Sequence, residues 1–358
     1  MKFILCQPAI KRFEWELEVC LTRLRKLGIK EIVLLFAKQD NQIPLYLRNK
    51  YGVEVHIYKD GRNDKTYIPS IKPYLWMRYL EEDRSREDDS YFYLDSDVLL
   101  RQVPQVKATK NKWIASNCES YLSIDYIDSK GEDLLDRMCG LLNIDAAKIR
   151  RENPVGGAQW IINNPTFEYW KKVYRDSVKL YRFLASVEPE YVKANGRSYT
   201  PIQKWTAEMW AQLWNVYHFN KAVKTPSELD FCWPTDDIQR YEETGIFHNA
   251  GVMNDQQGLF FKGKYVNHTP FDDSFEHIDN SKASIKYVEA IKEVKSTMAK
   301  SKVQYEVIES FRDLEDDKEY FEGDRFPKPA NKKVSEERLK ELSSSNNKAG
   351  RPLIKKVD

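Results

Sequence analysis

The chain has 358 residues, enough to bury a sizeable core in one large α/β domain or two smaller ones. Its 57 basic and 55 acidic residues give a net charge of +2, which excludes a global nucleic-acid signature. No stretch approaches roughly 18 consecutive apolar residues, so we expect a soluble, cytoplasmic protein without a transmembrane segment. The five cysteines are scattered without CxxC spacing, and we expect reduced, mostly buried thiols.

The first sixty residues alternate between strand and helix patterns. Short apolar runs predict strands at 2–6, 32–36 and 53–58, and apolar residues at helical spacing predict helices at 12–27 and 44–51. This alternation predicts an α/β fold with a parallel sheet, in which ligands bind at the carboxyl ends of the strands. Neither GxGxxG nor GxxxxGK[ST] occurs in the first strand-to-helix turns, which excludes a dinucleotide fingerprint and a P-loop there.

A helix predicted at about 69–82 leads into the run Tyr91 to Leu100, YFYLDSDVLL, which holds the strongest candidate site. Asp95 and Asp97 interrupt strand-forming residues, and the alternation of an extended chain predicts that both side chains leave the strand on the same side. Two carboxylates in open geometry suit Mg²⁺ or Mn²⁺. Such a cation stabilises the charge that builds on a departing nucleoside diphosphate. Aspartates at a strand end also form turns, which is the structural alternative.

Four segments resemble, in order, motifs of the GT-A glycosyltransferases, most closely the family 8 type of glycogenin and lipopolysaccharide galactosyltransferases. The first is the helix and D-x-D strand from 71 to 100. PVGGAQWIINNP at 154–165 resembles the family's N-[SA]-G-V-x-x-I-N strand. TAEMWAQLW at 206–214 stands where the family has D-Q-x-x-x-N, and IFHNAG at 246–251 resembles H-[FY]-x-G. The resemblance covers roughly residues 1–270 and implies a GT-A fold, a Rossmann-like, mostly parallel sheet flanked by helices.

The resemblance implies the metal ligands. Asp95 and Asp97 would bind the metal and the diphosphate, and Ser96 between them is assigned to the donor. His248 matches the histidine that is the family's third metal ligand, and neutral imidazole is an ordinary ligand for Mn²⁺. His268 is the rival histidine.

The resemblance also implies basic residues that contact the donor. Lys72 matches the residue that touches the donor's phosphate or sugar. Lys262 and Lys264, in FFKGKY, resemble the lysine of G-x-x-K-P-W that clamps the diphosphate. The sequence departs from that motif, so either lysine could serve.

We expect the base of the donor to lie at the ends of the first and third strands. Gln7, Pro8 and Ala9 follow the first strand, and Tyr58 and Asp60 follow the third. A tyrosine ring could cover a uracil, while the aspartate could accept a hydrogen bond from its imide or ribose. UDP is favoured by the resemblance alone.

Three polar residues are assigned to the transferred sugar or the acceptor: Glu208, Gln159 and Asn163. The resemblance implies retention of anomeric configuration, which requires no dedicated base on the helix that carries Glu208. Gly156 and Gly157 are expected to let the backbone approach a sugar closely.

The sequence predicts a glycosyltransferase domain at 1–279, with a nucleotide-sugar half at 1–100 and an acceptor half at 101–279. A helical, acidic extension follows at 280–323. Residues 324–358 carry ten basic and five acidic residues and are expected to form a flexible basic tail. Such a tail, with one helix expected at Val334 to Leu342, would aid solubility, pair with the acidic segment or hold a polyanion.

The sequence therefore predicts a metal-dependent hexosyl- or pentosyltransferase that moves a sugar from a nucleoside diphosphate sugar to an acceptor hydroxyl. A hydroxylated DNA base is an alternative acceptor, motivated by the basic tail and by Lys107, Lys110 and Lys112. A nucleotidyltransferase or a non-catalytic sugar-nucleotide binder is the alternative from another class. The sugar, the acceptor (glycan, protein, small molecule or DNA) and the oligomeric state stay open.

Overall fold

The computed structural model describes residues 1–196, 198–255, 258–301, 304–329, 332 and 334–357. It divides into two units, Met1–Ile291 and Lys292–Asp358. The first unit extends beyond the boundary expected at 279 because Tyr287 is fully buried and its ring contacts Trp15 and Phe260.

The first unit contains ten strands and eleven α-helices among the described residues, besides short 3₁₀ helices. In chain order they are β1 (Lys2–Pro8), α1 (Lys11–Lys26), β2 (Ile32–Ala37), α2 (Gln42–Tyr51), β3 (Glu54–Tyr58), α3 (Ile71–Glu82), β4 (Ser90–Leu94), β5 (Val98–Leu100), β6 (Lys112–Asn117), α4 (Glu119–Leu122), α5 (Ile124–Asp128), α6 (Leu134–Leu142), α7 (Ala146–Glu152), β7 (Gly156–Asn163), α8 (Phe167–Asn195), α9 (Ala207–His218), β8 (Ala222–Lys224), β9 (Phe231–Cys232), α10 (Ile238–Glu243), β10 (Ile246–His248) and α11 (Ser284–Ser301), which continues past the division. No helix in the described part of the chain is long and apolar enough to cross a membrane.

The central sheet has seven strands in the order β3-β2-β1-β4-β7-β6-β8. The pairs β3-β2, β2-β1, β1-β4 and β6-β8 are parallel, and β7 is antiparallel to both of its neighbours. All six residues of β2, IVLLFA, are buried, as expected for a parallel strand covered on both faces. The α/β class and the mostly parallel central sheet are confirmed.

The two aspartates interrupt the run YFYLDSDVLL in the structure as they do in the sequence, and the apolar residues on either side belong to different sheets. The run forms two strands, β4 in the central sheet and β5 in a second, three-stranded sheet of order β5-β10-β9, with a turn at residues 96–97. The chain changes sheets because β5 pairs antiparallel with β10, which places Val98 opposite His248. The same pairing brings that histidine to the two aspartates.

The second unit is described by itself. Its strands and helix are β11 (Gln304–Val307), β12 (Phe311–Asp313), β13 (Lys318–Tyr320), β14 (Arg325–Phe326), α12 (Glu336–Leu342) and β15 (Ile354–Val357). The strands form a sheet of order β14-β11-β15 and the hairpin β12-β13.

The segment 324–358, expected to be a flexible tail, thus differs from that expectation. Phe326, Leu342 and Ile354 are at most 2% exposed and form a small core with residues of the preceding acidic segment. The ion pairs Arg338–Asp313 and Lys332–Asp316 join the basic and acidic segments. The sequence concealed this unit because its strands are two to four residues long and its apolar residues stand singly among charges.

Candidate active site

Asp95, Asp97 and His248 converge at the edge of the core. One ligand atom of each lies within 4.8 Å of the others. The His248 Nε2 atom is 3.3 Å from Asp97 Oδ1 and 3.8 Å from Asp95 Oδ2. Asp97 and His248 are buried and Asp95 is half-buried. Two carboxylates and one imidazole are a ligand set that Mn²⁺ accepts readily and that can also hold Mg²⁺, so the residues fit the divalent cation expected from the sequence.

The backbone around β10 holds the histidine in place. The Asn249 backbone N–H donates to the Asp97 carbonyl oxygen at 3.0 Å, which continues the β5–β10 pairing past its end. The half-buried Trp233 ring stacks on the imidazole with 6.0 Å between centroids and 11° between planes. The Asn249 side-chain amide is buried without a hydrogen-bond partner among the described residues. The sequence analysis assigned no role at this site to Trp233 or Asn249.

Two lysines neutralise the carboxylates. The Lys262 ammonium contacts Asp97, whereas Lys264 lies 3.5 Å from Asp273. Lys262 is therefore the one of the two lysines that the fold brings to the aspartates. Lys72, in the first turn of α3, lies 3.2 Å from Asp95 Oδ1 and 3.5 Å from Glu208 Oε1.

Burial and charge shift the pKa values of these groups in opposite directions. Burial raises the pKa of Asp97, but the neighbouring Lys262 and His248 outweigh burial and hold that pKa well below its usual range. Burial lowers the pKa of Lys72, but Asp95 and Glu208 more than offset this and the net pKa is raised. The pKa of Glu208 is raised because burial outweighs the attraction of Lys72. The Asp97 carboxylate and the Lys72 ammonium are therefore both charged at neutral pH.

The hydroxyl of Ser96 faces α1. It donates to Glu16 Oε2 at 2.7 Å, and Arg12 Nε donates to Glu16 Oε1 at 2.7 Å. Glu16 is fully buried. Ser96 was assigned to the donor, and its structural partner is this carboxylate. The signal in the sequence was a charged residue on the face of α1 that also carries buried apolar residues, which is uncommon unless the charge is paired.

Replacing Ser96 with alanine is expected to lower the free energy of unfolding by about 1.5–3 kcal/mol, because a buried hydrogen bond to a carboxylate is lost. Denaturant unfolding measures this change. The control is Ser186→Ala, which removes a hydroxyl bonded to the Phe183 carbonyl on an exposed face of α8. Equal stability losses in the two variants would contradict the assignment of Ser96 as the link between the aspartate turn and α1.

The residues expected around the base lie at one edge of the sheet. Pro8 pairs with Ala37, Ala37 pairs with Tyr58, and Leu5 pairs with Leu94, so β1, β2, β3 and β4 end together. This edge carries the residues named for the base: Gln7, Pro8, Ala9, Tyr58 and Asp60.

The polar groups among these residues differ in their partners. Asp60 binds Arg62 through both oxygens, at 3.0 and 3.1 Å, and the Tyr58 hydroxyl donates to Glu82 at 2.9 Å. Gln7 is buried, and its Oε1 atom has no hydrogen-bond partner among the described residues. Of these three side chains, Gln7 is the one with a buried polar atom that lacks a hydrogen-bond partner among the described residues.

The three residues assigned to the sugar or acceptor lie in different parts of the structure. Glu208 lies at the site beside Lys72. Gln159 is fully buried, between Ser116 and His248. Asn163 pairs with Ser90, at the opposite end of β4 from the aspartates, so its assignment to the sugar or acceptor is wrong.

Close packing explains why position 157 holds a glycine. A Cβ atom at this position would lie 2.7 Å from a Leu122 methyl carbon and 2.8 Å from a Met209 methyl carbon. Any larger side chain would displace its neighbours. The close approach to a sugar that was expected here stays a prediction.

No protein-family model matches the sequence, and no curated protein matches it. Solved structures of glycosyltransferases are similar to it. The galactosyltransferase LgtC, solved in complex with donor and acceptor sugar analogs, is 14% identical over 82% of this chain and 96% of its own, with a TM-score of 0.42. The glycosyltransferase GlyE of Streptococcus pneumoniae TIGR4 is 12% identical over 84% of this chain and 65% of its own, with a TM-score of 0.38. The bifunctional glycosyltransferase WbbM is 14% identical over 80% of this chain and 51% of its own, with a TM-score of 0.37.

Proposed function

We propose that the protein is a metal-dependent glycosyltransferase that moves a sugar from a nucleoside diphosphate sugar to an acceptor hydroxyl. The observation that carries the proposal is the convergence of Asp95, Asp97 and His248 with two lysine ammonium groups on the same carboxylates. A cation held by the first three residues, together with the two ammonium groups beside it, would form a site for a diphosphate. The position of this site, at the carboxyl ends of parallel strands, is where α/β folds bind ligands.

Each group has a role in the departure of the diphosphate. A divalent cation bound by the triad would stabilise the negative charge that develops on the leaving group. Once the cation neutralises the aspartates, Lys262 and Lys72 can donate to phosphate oxygens, which are strong charge-assisted hydrogen bonds. The bond between the anomeric carbon and the diphosphate oxygen breaks, the acceptor oxygen bonds to that carbon, and the acceptor's proton passes to an oxygen of the departing diphosphate.

Glu208 is proposed to face the transferred sugar. Its carboxylate is buried and lies 3.5 Å from Lys72, which itself contacts Asp95. This chain of contacts joins the metal ligands to the first turn of α9. Retention of configuration, and UDP as the nucleotide, are proposed from the motif resemblance, and Gln7 is the proposed contact to the base.

A thermal-shift screen tests the donor. A nucleotide sugar that binds the site and is present at a concentration of a hundred times its Kd should stabilise the protein by about 2.7 kcal/mol. This stabilisation is expected only when Mn²⁺ is present. We expect UDP-sugars to give the largest shift. A shift of the same size without a cation would contradict the metal-dependent site.

Analysis of the products tests the reaction. Release of a nucleoside diphosphate together with a glycosylated acceptor is expected. Release of pyrophosphate would instead indicate a nucleotidyltransferase, and binding without either product would indicate a sugar-nucleotide binder.

The alternative acceptor, a hydroxylated DNA base, keeps part of its support. Lys107, Lys110 and Lys112 are exposed, whereas Arg338 and Lys332 of the basic segment pair with aspartates. Salt-dependent binding of duplex DNA that is lost on replacing the three exposed lysines would favour this acceptor. Absence of DNA binding at low salt would exclude it.

A further inference from the structure

A chain of four buried polar groups runs from β6 to the aspartates. Ser116 Oγ donates to Gln159 Oε1 at 2.6 Å, and Gln159 Nε2 lies 3.1 Å from His248 Nδ1. His248 Nε2 lies 3.3 Å from Asp97 Oδ1. Ser116 and Gln159 are fully buried, and His248 and Asp97 are 7% and 4% exposed. The chain is therefore shielded from water at every step.

The direction of these hydrogen bonds defines a tautomer. A neutral imidazole has one N–H group and one nitrogen lone pair. If the amide of Gln159 donates to Nδ1, the hydrogen of His248 is on Nε2, where it points at Asp97. Every group in the chain then has a partner, but the Nε2 lone pair that a cation requires is absent.

We propose that Gln159 is a positioning residue that sets the tautomer of His248, and that cation binding is coupled to a half-turn of its amide. This inference rests on the proposed metal site. The half-turn exchanges Oε1 and Nε2, which have nearly the same size. Oε1 then accepts from an Nδ1–H group, Nε2 donates to Ser116, and His248 presents its Nε2 lone pair to the cation.

The backbone is shaped to place this amide. Ala115 on β6 pairs with Trp160 on β7, but Ser116 pairs with Gly157, so Ala158 and Gln159 form a bulge. Ala158 has a φ of 53°, a left-handed conformation that is uncommon for residues other than glycine, asparagine and aspartate. Bulges redirect side chains next to functional sites. This one directs Gln159 to the ring nitrogen that faces away from the aspartates.

The tautomer can be observed directly by long-range ¹H–¹⁵N NMR of the full chain, with the His248 signals assigned by their loss in His248→Gln. Without a cation we expect hydrogen on Nε2, and with Mg²⁺, a diamagnetic probe, hydrogen on Nδ1. Hydrogen on Nδ1 in the cation-free protein would overturn the inference. Cation binding with the hydrogen still on Nε2 would overturn the coupling alone. Absence of any Mg²⁺ or Mn²⁺ binding would instead overturn the proposed metal site and the coupling with it.

Two variants separate positioning from packing. Gln159→Leu removes both hydrogen bonds and is expected to weaken Mn²⁺ binding by about 10- to 100-fold, measured by the EPR signal of free Mn²⁺. Gln159→Glu has nearly the same shape, but its carboxylate only accepts, so we expect hydrogen on Nδ1 with and without a cation. Gln239→Leu is the control, because Gln239 is exposed and bonds only within α10. Unchanged Mn²⁺ affinity in Gln159→Leu, or a cation-free Nε2–H tautomer in Gln159→Glu, would contradict the proposed role.

Discussion

Replacing Asp97 with asparagine is expected to lower kcat by about a thousandfold at saturating donor and acceptor. Asp97 supplies a buried, ionised ligand to the proposed cation, and an asparagine of the same size removes its charge. A cation stabilises the transition state by several kcal/mol, and about 4 kcal/mol corresponds to three orders of magnitude in rate. Steady-state kinetics with a titration of Mn²⁺ measures the loss.

The control for this variant is Asp237→Asn. Asp237 is exposed and pairs with Lys282 on the surface, so the same chemical change there should leave kcat unaltered. Thermal unfolding of both variants shows whether the fold persists. Full turnover in folded Asp97→Asn protein would refute the assignment of the metal site.

Replacing Lys262 with methionine is expected to change cation affinity and turnover in opposite directions. The Lys262 ammonium contacts Asp97, so it would compete with a cation for that carboxylate. Its removal should strengthen Mn²⁺ binding. Turnover should fall by about 10- to 100-fold, because a hydrogen bond between charged groups contributes about 1.5–3 kcal/mol and the diphosphate would lose one.

Lys264→Met provides the matched control, since Lys264 is two residues away and its partner is Asp273. Calorimetric titration with Mn²⁺ and steady-state kinetics should both leave this control close to the unaltered protein. Weaker Mn²⁺ binding in Lys262→Met would show that the lysine supports the cation rather than competing with it. Equal losses of turnover in the two variants would remove the distinction between the two lysines.

Local sequence pattern was sufficient to predict the strands and helices of the first sixty residues. The three strands and two helices expected before residue 60 are all present, and Gly52 ends α2 in a left-handed conformation. The convergence of Asp95 and Asp97 was also correct, although the reason was not. Their carboxylates meet because a turn connects two sheets, whereas the prediction was based on the alternation of side chains in an extended chain at the end of a strand.

The remaining features depend on contacts between distant segments, which a local pattern does not encode. The choice between Lys262 and Lys264 follows from a short 3₁₀ helix, Lys262–Tyr265, in which residues two apart point in different directions. The link from Ser96 to Glu16 joins residues 80 positions apart. Residue type alone predicts neither the hydrogen-bond partner of Asp60 nor the bulge at Ala158.

The division of the aspartate turn between two sheets has a consequence for assembly of the protein. The D-x-D segment is complete early in the chain, but Lys262 lies 165 residues beyond Asp97, and the histidine comes from the same late region. The pairing of β5 with β10 must close this long loop before the three ligand atoms meet, and such non-local closure is slow. Cation binding should therefore occur only when folding is complete. In a refolding experiment that also follows Mn²⁺ binding, we expect the cation to bind only after the central sheet has formed.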